Sequence, residues 1–152
     1  MIELIPGTVT DPAAQALLEE YVAYRIRSFP PPGVYRPASP DPQAFAGDGL
    51  FLLAHLDGVP RGCGGVRTLT TARFEVKHVF VQPQARGAGV GRGLLDALAQ
   101  HARERGAAEL VLDTHSSLSA AAALYAAIGF EPIAAYNDNP NADRWYGLQL
   151  AH

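Results

Sequence analysis

Apolar positions change period several times along the chain, and each change marks an element. Ala14, Leu17, Leu18, Tyr21 and Tyr24 recur at the 3.6-residue spacing of a helix with one buried face. Asp11-Pro12 stands in front of them as an N-cap followed by proline at the first helical position, where its missing N–H costs nothing. Pro30-Pro31-Pro32-Gly33 stops the run, so a helix is expected over 12–28, after a short first strand at 2–5. The proline-rich stretch to Pro42 reads as a loop around Tyr35 and Arg36, with a short helix near Pro42–Ala46. The period then drops to that of strands. Leu50–Leu56 is apolar and closes on Asp57-Gly58, a hairpin signal, and Val59–Leu69 returns. Gly62, Gly64 and Gly65 within that returning strand mark a bulge or a close backbone approach. A turn at Thr70–Ala72 leads into a third antiparallel strand, Arg73–Val81.

Helical spacing returns at Val90–Arg105, with Leu94, Leu95, Leu98 and Ala102 on one face, arginines in the last turn and Gly106 as C-cap. Leu110-Val111-Leu112 is a short buried strand. Ser119 is placed to cap an alanine-rich helix ending at Gly129, and Phe130–Tyr136 and Trp145–Leu150 read as two closing strands. This order, β-α-(α)-β-β-β-α-β-α-β-β, predicts an α+β fold: a mostly antiparallel, twisted central sheet of six to seven strands with helices on both faces.

Composition narrows the class. With 152 residues, 48% of them apolar, the chain is expected to form one domain over 1–152 rather than a disordered segment. A net charge of −3 gives no reason to expect a nucleic-acid partner. A single cysteine makes no internal disulfide, the first residues lack the pattern of a signal peptide, and no apolar run reaches membrane-spanning length. The expectation is a cytoplasmic monomer or homodimer with no membrane partner.

The most informative stretch is Arg86-Gly87-Ala88-Gly89-Val90-Gly91-Arg92-Gly93, between a predicted strand and a predicted helix. Strand, glycine turn and helix N-terminus together form an anion site, to which two arginines add forked, charged donors. Spacing decides among the phosphate motifs. No lysine follows a glycine as a P-loop requires, and Arg92 and Leu94 stand where the dinucleotide fingerprint would place its last glycine.

The spacing that fits is [Q/R]-x-x-G-x-[G/A], and with it the chain resembles the GNAT superfamily of acetyl-CoA-dependent N-acetyltransferases. Further segments carry the resemblance. Phe74–Val81 with Gln82-Pro83 is similar to the family's fourth strand, Gly62-Cys63-Gly64-Gly65 to its third, and Leu124-Tyr125-Ala126-Ala127-Ile128-Gly129-Phe130 to its L-Y-x-x-x-G-F signature. The resemblance implies acetyl-CoA as co-substrate with no metal, and cofactor contacts at Val79, Val81, Arg86, Gly87, Gly89, Gly91 and Arg92. It also implies direct transfer of an acetyl group to a primary amine of a small molecule or peptide. A non-catalytic acyl-CoA-binding sensor or interaction module on the same fold is the alternative. The family's usual asparagine, about seven residues before the tyrosine, is replaced by Leu118.

Acetyl transfer needs a neutral amine, yet a lysine-like amine with pKa ≈ 10.4 is neutral in only roughly one molecule in 2,500 at pH 7. Glu75 occupies a position where relatives often carry glutamate, and period-2 alternation would put it on a face with Lys77, Val79 and Val81. It is the expected general base, working through a water; pairing with Lys77 as a surface carboxylate is the plainer reading. Tyr125, the tyrosine of the signature, is expected to protonate the leaving sulfur, against a plain packing role. His115 is a reserve acid or base, Cys63 a small buried thiol and His78 structural, while His55, His101 and His152 lack metal-ligand spacing. In the family the acceptor lies between the first two helices and the last two strands. Those parts are Pro30–Pro42, with Tyr35 and Arg36 to grip an aromatic or anionic acceptor, and Tyr136–Asp143, with Asp138 and Asp143 to attract an amine.

Overall fold

A computed structural model describes residues 1–151; His152 lies outside the described residues. Seven strands form one sheet in the order β1-β2-β3-β4-β5-β7-β6. They are β1 (Ile2–Pro6), β2 (Leu50–Leu56), β3 (Val59–Thr68), β4 (Arg73–Val81), β5 (Glu109–Thr114), β6 (Glu131–Pro132) and β7 (Arg144–Gln149). The helices are α1 (Pro12–Ser28), α2 (Val90–Glu104) and α3 (Ser119–Ile128). Every strand pairing is antiparallel except that between β4 and β5.

Alternation along β2 sorts the core into two layers. Leu52 and Ala54 face α2 and α3, together with Leu94, Leu95, Leu98 and Tyr125. Phe51 and Leu53 face α1, together with Leu17, Leu18, Cys63 and Phe80. The leucines of α2 are fully buried, each stabilising the fold by roughly 1.5–3 kcal/mol. The glycines of β3 let that helix sit close. A Cβ on Gly62 would lie 3.1 Å from a Val90 methyl, and one on Gly64 would meet Val79 at 3.0 Å and Leu98 at 3.5 Å. The predicted bulge also exists, in the partner strand: β3–β4 register shifts between Cys63 and Gly65, and His78 adopts φ +60°. One extra residue in β4 reverses the alternation beyond it.

The expected turns hold. Asp57 and Gly58 both take positive φ, as a type I′ hairpin requires. Gly106, at φ +81°, closes α2 with its N–H on the Arg103 carbonyl and that of Ala107 on Ala102. Three boundaries differ. The strand expected over Phe130–Tyr136 is only Glu131–Pro132, followed by one further bond to β7, from the Ile133 N–H to the Trp145 carbonyl at 2.9 Å. Residue 118, not Ser119, is the N-cap of α3, and no side chain caps it. Asp11 caps α1 by position, but its carboxylate turns back to accept from the Thr8 N–H at 2.9 Å.

Candidate active site

β4 and β5 pair only between Arg73–Glu75 and Glu109–Val111. Beyond that point β4 stays with β3 and β5 with β7, so the sheet opens in its middle. The bulge at His78 falls in the separated part of β4 and turns it away. The gap is a cleft of about 630 Å³, well suited to a cofactor-sized ligand. Its floor is β4 from Val76 to Val81, which has no strand on its β5 side, so main-chain donors and acceptors are left for a ligand.

The glycine turn closes one end of this cleft. Gly87 and Gly89 sit at φ +84° and +88°, where any side chain is strained, and Gly89 is the N-cap of α2. No side chain caps the helix, so the N–H groups of its first turn and the positive end of its dipole face the cleft unmatched. Gly91 has a different reason: a Cβ there would lie 2.9 Å from a Leu124 methyl, so it sets the contact between α2 and α3. The Arg86 guanidinium lies 5.2 Å from the centre of the Tyr24 ring, and Arg92 is exposed beside Asp96 at 3.8 Å. All seven residues expected to contact a cofactor line this cleft.

Tyr125 lines the cleft from α3. Its ring packs edge-on to Phe130 at 5.7 Å, and its hydroxyl has no hydrogen-bond partner among the described residues. Burial pushes the phenol well above its usual pKa; Tyr21 and Asp113 add to this and Arg25 opposes it, so these groups surround it. On the α1 side of the sheet a polar ladder spans the split. Lys77 Nζ lies 3.3 Å from Asp113, whose other oxygen accepts from Asn137 at 2.7 Å and Asn139 at 3.1 Å. Burial would raise the Asp113 carboxyl, but the Lys77 charge and these donors bring it below its usual pKa.

Glu75 is 0% exposed and does not line the cleft. Arg67 Nε and Nη2 both lie 2.7 Å from its Oε1, the Tyr136 hydroxyl donates to Oε2 at 2.6 Å, and Lys77 stands 3.7 Å away. The expected alternation is corrected as well. Glu75 and Lys77 share the α1 face, whereas Val79 and Val81, beyond the bulge, pack against the α2 core.

At the other end of the cleft, two loops are tied together. The Arg36 N–H donates to Asn141 Oδ1, and Asn141 Nδ2 donates to the Arg36 carbonyl, both at 2.8 Å. Tyr35 lines the cleft there, while Arg36 serves through its backbone and Asp138 is exposed; neither of these two side chains lines it. Asp143 caps the turn after β5, accepting from Ser116 N–H and Oγ at 2.7 Å. His115 is buried against Phe29 and Ser117, outside the lining, and Leu118 lines it where the family's asparagine was expected. His78 packs on Phe45, and burial with the nearby Lys77 and Arg67 charges pulls its pKa down to about 4. Burial pushes the Cys63 thiol up to about 12, which makes it inert at neutral pH. The described residues hold no group of three or more side chains placed for a metal ion, and no helix long and apolar enough to cross a membrane.

Sequence reasoning missed Arg25. It sits four residues after Tyr21 and seven after Leu18, on the stripe that otherwise reads as core. A charge at the end of an apolar stripe was the available signal.

The model of the acetyltransferase (GNAT) family matches residues 14–130. The chain belongs to this family. An IAA acetyltransferase of Azospirillum brasilense is 38% identical over 94 residues, 59% of this chain and 61% of that protein, so the chain spans about three-fifths of this GNAT relative's length. A Klebsiella pneumoniae protein assigned as an acyl-CoA N-acyltransferase superposes with a TM-score of 0.80 at 26% identity, over 99% of both chains. A GNAT acetyltransferase of Elizabethkingia anophelis, with acetyl-CoA bound, superposes with a TM-score of 0.64 at 19% identity over 98% of both chains. The GNAT fold is therefore common to all three structures.

Proposed function

We propose that this single domain transfers an acetyl group directly from acetyl-CoA to a primary amine in the cleft between β4 and β5. The observation that carries the reading is the meeting, in one cleft, of an uncapped helix N-terminus built on left-handed glycines and an unpaired strand edge. Acetyl-CoA supplies the acyl group in activated form, as a thioester. The residues present suit it. Gly87, Gly89 and the first turn of α2, with Arg86 and Arg92, match a pyrophosphate; the open backbone at Val79 and Val81 matches an amide-bearing arm.

In the transfer an amine nitrogen bonds to the acyl carbon and the carbon–sulfur bond breaks. The amine gives up one proton and the departing sulfur gains one. Tyr125 is assigned to that sulfur. Burial holds its phenol protonated, so a hydrogen is always available, and the same shift makes full transfer uphill. The hydroxyl accordingly stabilises the leaving thiolate by a hydrogen bond, and solvent completes the protonation. Glu75 is reassigned. With both oxygens engaged and no exposed atom, it positions Lys77, Arg67 and Tyr136 at the acceptor side, and the amine proton leaves through water.

The experiment is calorimetric binding of acetyl-CoA followed by release of free CoA thiol in the presence of amines. Binding with amine-dependent release is expected. No binding would overturn the reading, and binding without release from any amine would make the protein an acyl-CoA sensor.

A further inference from the structure

Among the described residues, the cleft wall contains one buried cation that no acidic side chain answers. Arg25 is 6% exposed, lines the cleft, and has no carboxylate within ion-pair distance among the described residues. One terminal nitrogen donates to the Tyr21 hydroxyl at 3.0 Å and the other to the Asn141 carbonyl at 2.8 Å, while Nε has no hydrogen-bond partner among the described residues. The guanidinium carries five N–H donors, so three remain unused. Its plane lies over Tyr35, with 4.6 Å from Cζ to the ring centre, which fixes the side chain without neutralising it.

A buried cation of this kind is costly unless an anion or a full set of acceptors meets it. Three neutral residues, Tyr21 of α1 itself and Tyr35 and Asn141 of the two acceptor-side loops, hold Arg25 where no acidic side chain among the described residues reaches it. The cofactor phosphates have cations of their own in Arg86 and Arg92 beside the α2 N-terminus, whereas Arg25 bonds Asn141 and lies over Tyr35 of the acceptor-side loops. Arg25 instead belongs with Tyr35 and Asn141, where an acceptor would enter.

We propose that the acceptor is an amine that also carries a carboxylate, and that Arg25 binds this carboxylate through its unused N–H groups. The proposal rests on the acetyl-transfer reading above. Tyr35 and Tyr21, whose rings flank the guanidinium, line the cleft beside it and would border the carbon skeleton between the two charged ends. Lys77 and Asp113 also line the cleft but already pair with each other at 3.3 Å, so Arg25 is the charge left for the acceptor to meet.

The test compares free amino acids with the corresponding amino-acid amides, which keep the amine and lose the carboxylate, at saturating acetyl-CoA. The wild type is expected to acetylate the acids with at least ~10-fold higher kcat/KM, one charge-assisted pair being worth about a factor of ten or more. In Arg25→Gln the preference should fall to near one, mainly through KM for the acid, and Arg25→Lys should restore part of it. Equal use of acids and amides by the wild type overturns the proposal, whether or not the variants fold, and leaves acetyl transfer standing. An undiminished preference in Arg25→Gln, or acetylation confined to amines without a carboxylate, overturns it too. Failure to bind acetyl-CoA would instead strike the underlying reading.

Discussion

The two ends of the cleft are built from different materials. At the glycine end the contacts are main-chain: two left-handed glycines, an uncapped helix N-terminus and an open strand edge, with arginines at the rim. At the other end they are side chains drawn from α1, from the loop at 29–41 and from the loop at 137–143, joined by the reciprocal Arg36–Asn141 bonds. Backbone recognises what all acyl-CoA ligands share, and its geometry depends on a few glycines at fixed spacing. Side chains recognise what differs between acceptors, and they converge from positions more than a hundred residues apart.

The sharpest way to break this contrast is Gly89→Val. Forcing a β-branched residue to φ +88° moves the helix N-terminus, and losing two charge-assisted contacts should weaken acetyl-CoA binding by about 10³-fold. Calorimetry with unchanged affinity would mean that the glycine end holds nothing. Tyr125→Phe comes next, cutting kcat by ~10²-fold while acetyl-CoA affinity stays within a few-fold; turnover equal to the parent in pre-steady-state assays refutes the thiolate role. Glu75→Gln should lower kcat/KM about tenfold by loosening the acceptor side, with the shape of the pH–rate profile preserved. Disappearance of an ionisation from that profile would restore Glu75 as the base.

The smallest effect at neutral pH belongs to the bulge between the two ends. His78 titrates near 4 in the folded chain and near 6.5 when unfolded, so the unfolded chain binds the extra proton between these values. Its contribution to stability is complete above pH 6.5 and is lost as pH falls through 4, on the order of 3 kcal/mol in all. Asn tolerates positive φ, so His78→Asn should flatten urea-melt stability across that window. An unchanged slope would show that the imidazole is freely solvated.

Legibility followed the same division. The glycine turn, both long helices and the hairpin at Asp57-Gly58 were readable because local spacing determines them, and all seven residues expected at the cofactor do line the cleft. Period-2 reasoning failed along β4 because one residue at His78 reverses the faces, an event that depends on register with β3. The burial of Glu75 is not legible locally, because its partners, Arg67 and Tyr136, come from another strand and from a loop sixty-one residues away. Arg25 was hidden inside an apolar stripe whose meaning changed once α1 was seen to form a cleft wall as well as a core face.

The measurement closest to the central claim uses the wild-type protein alone: calorimetric titration with coenzyme A and, separately, with pantetheine, which keeps the arm and lacks the pyrophosphate. If the glycine end is a pyrophosphate cradle, coenzyme A should bind about 10³-fold more tightly, the value of two charge-assisted contacts. Equal affinities would contradict it.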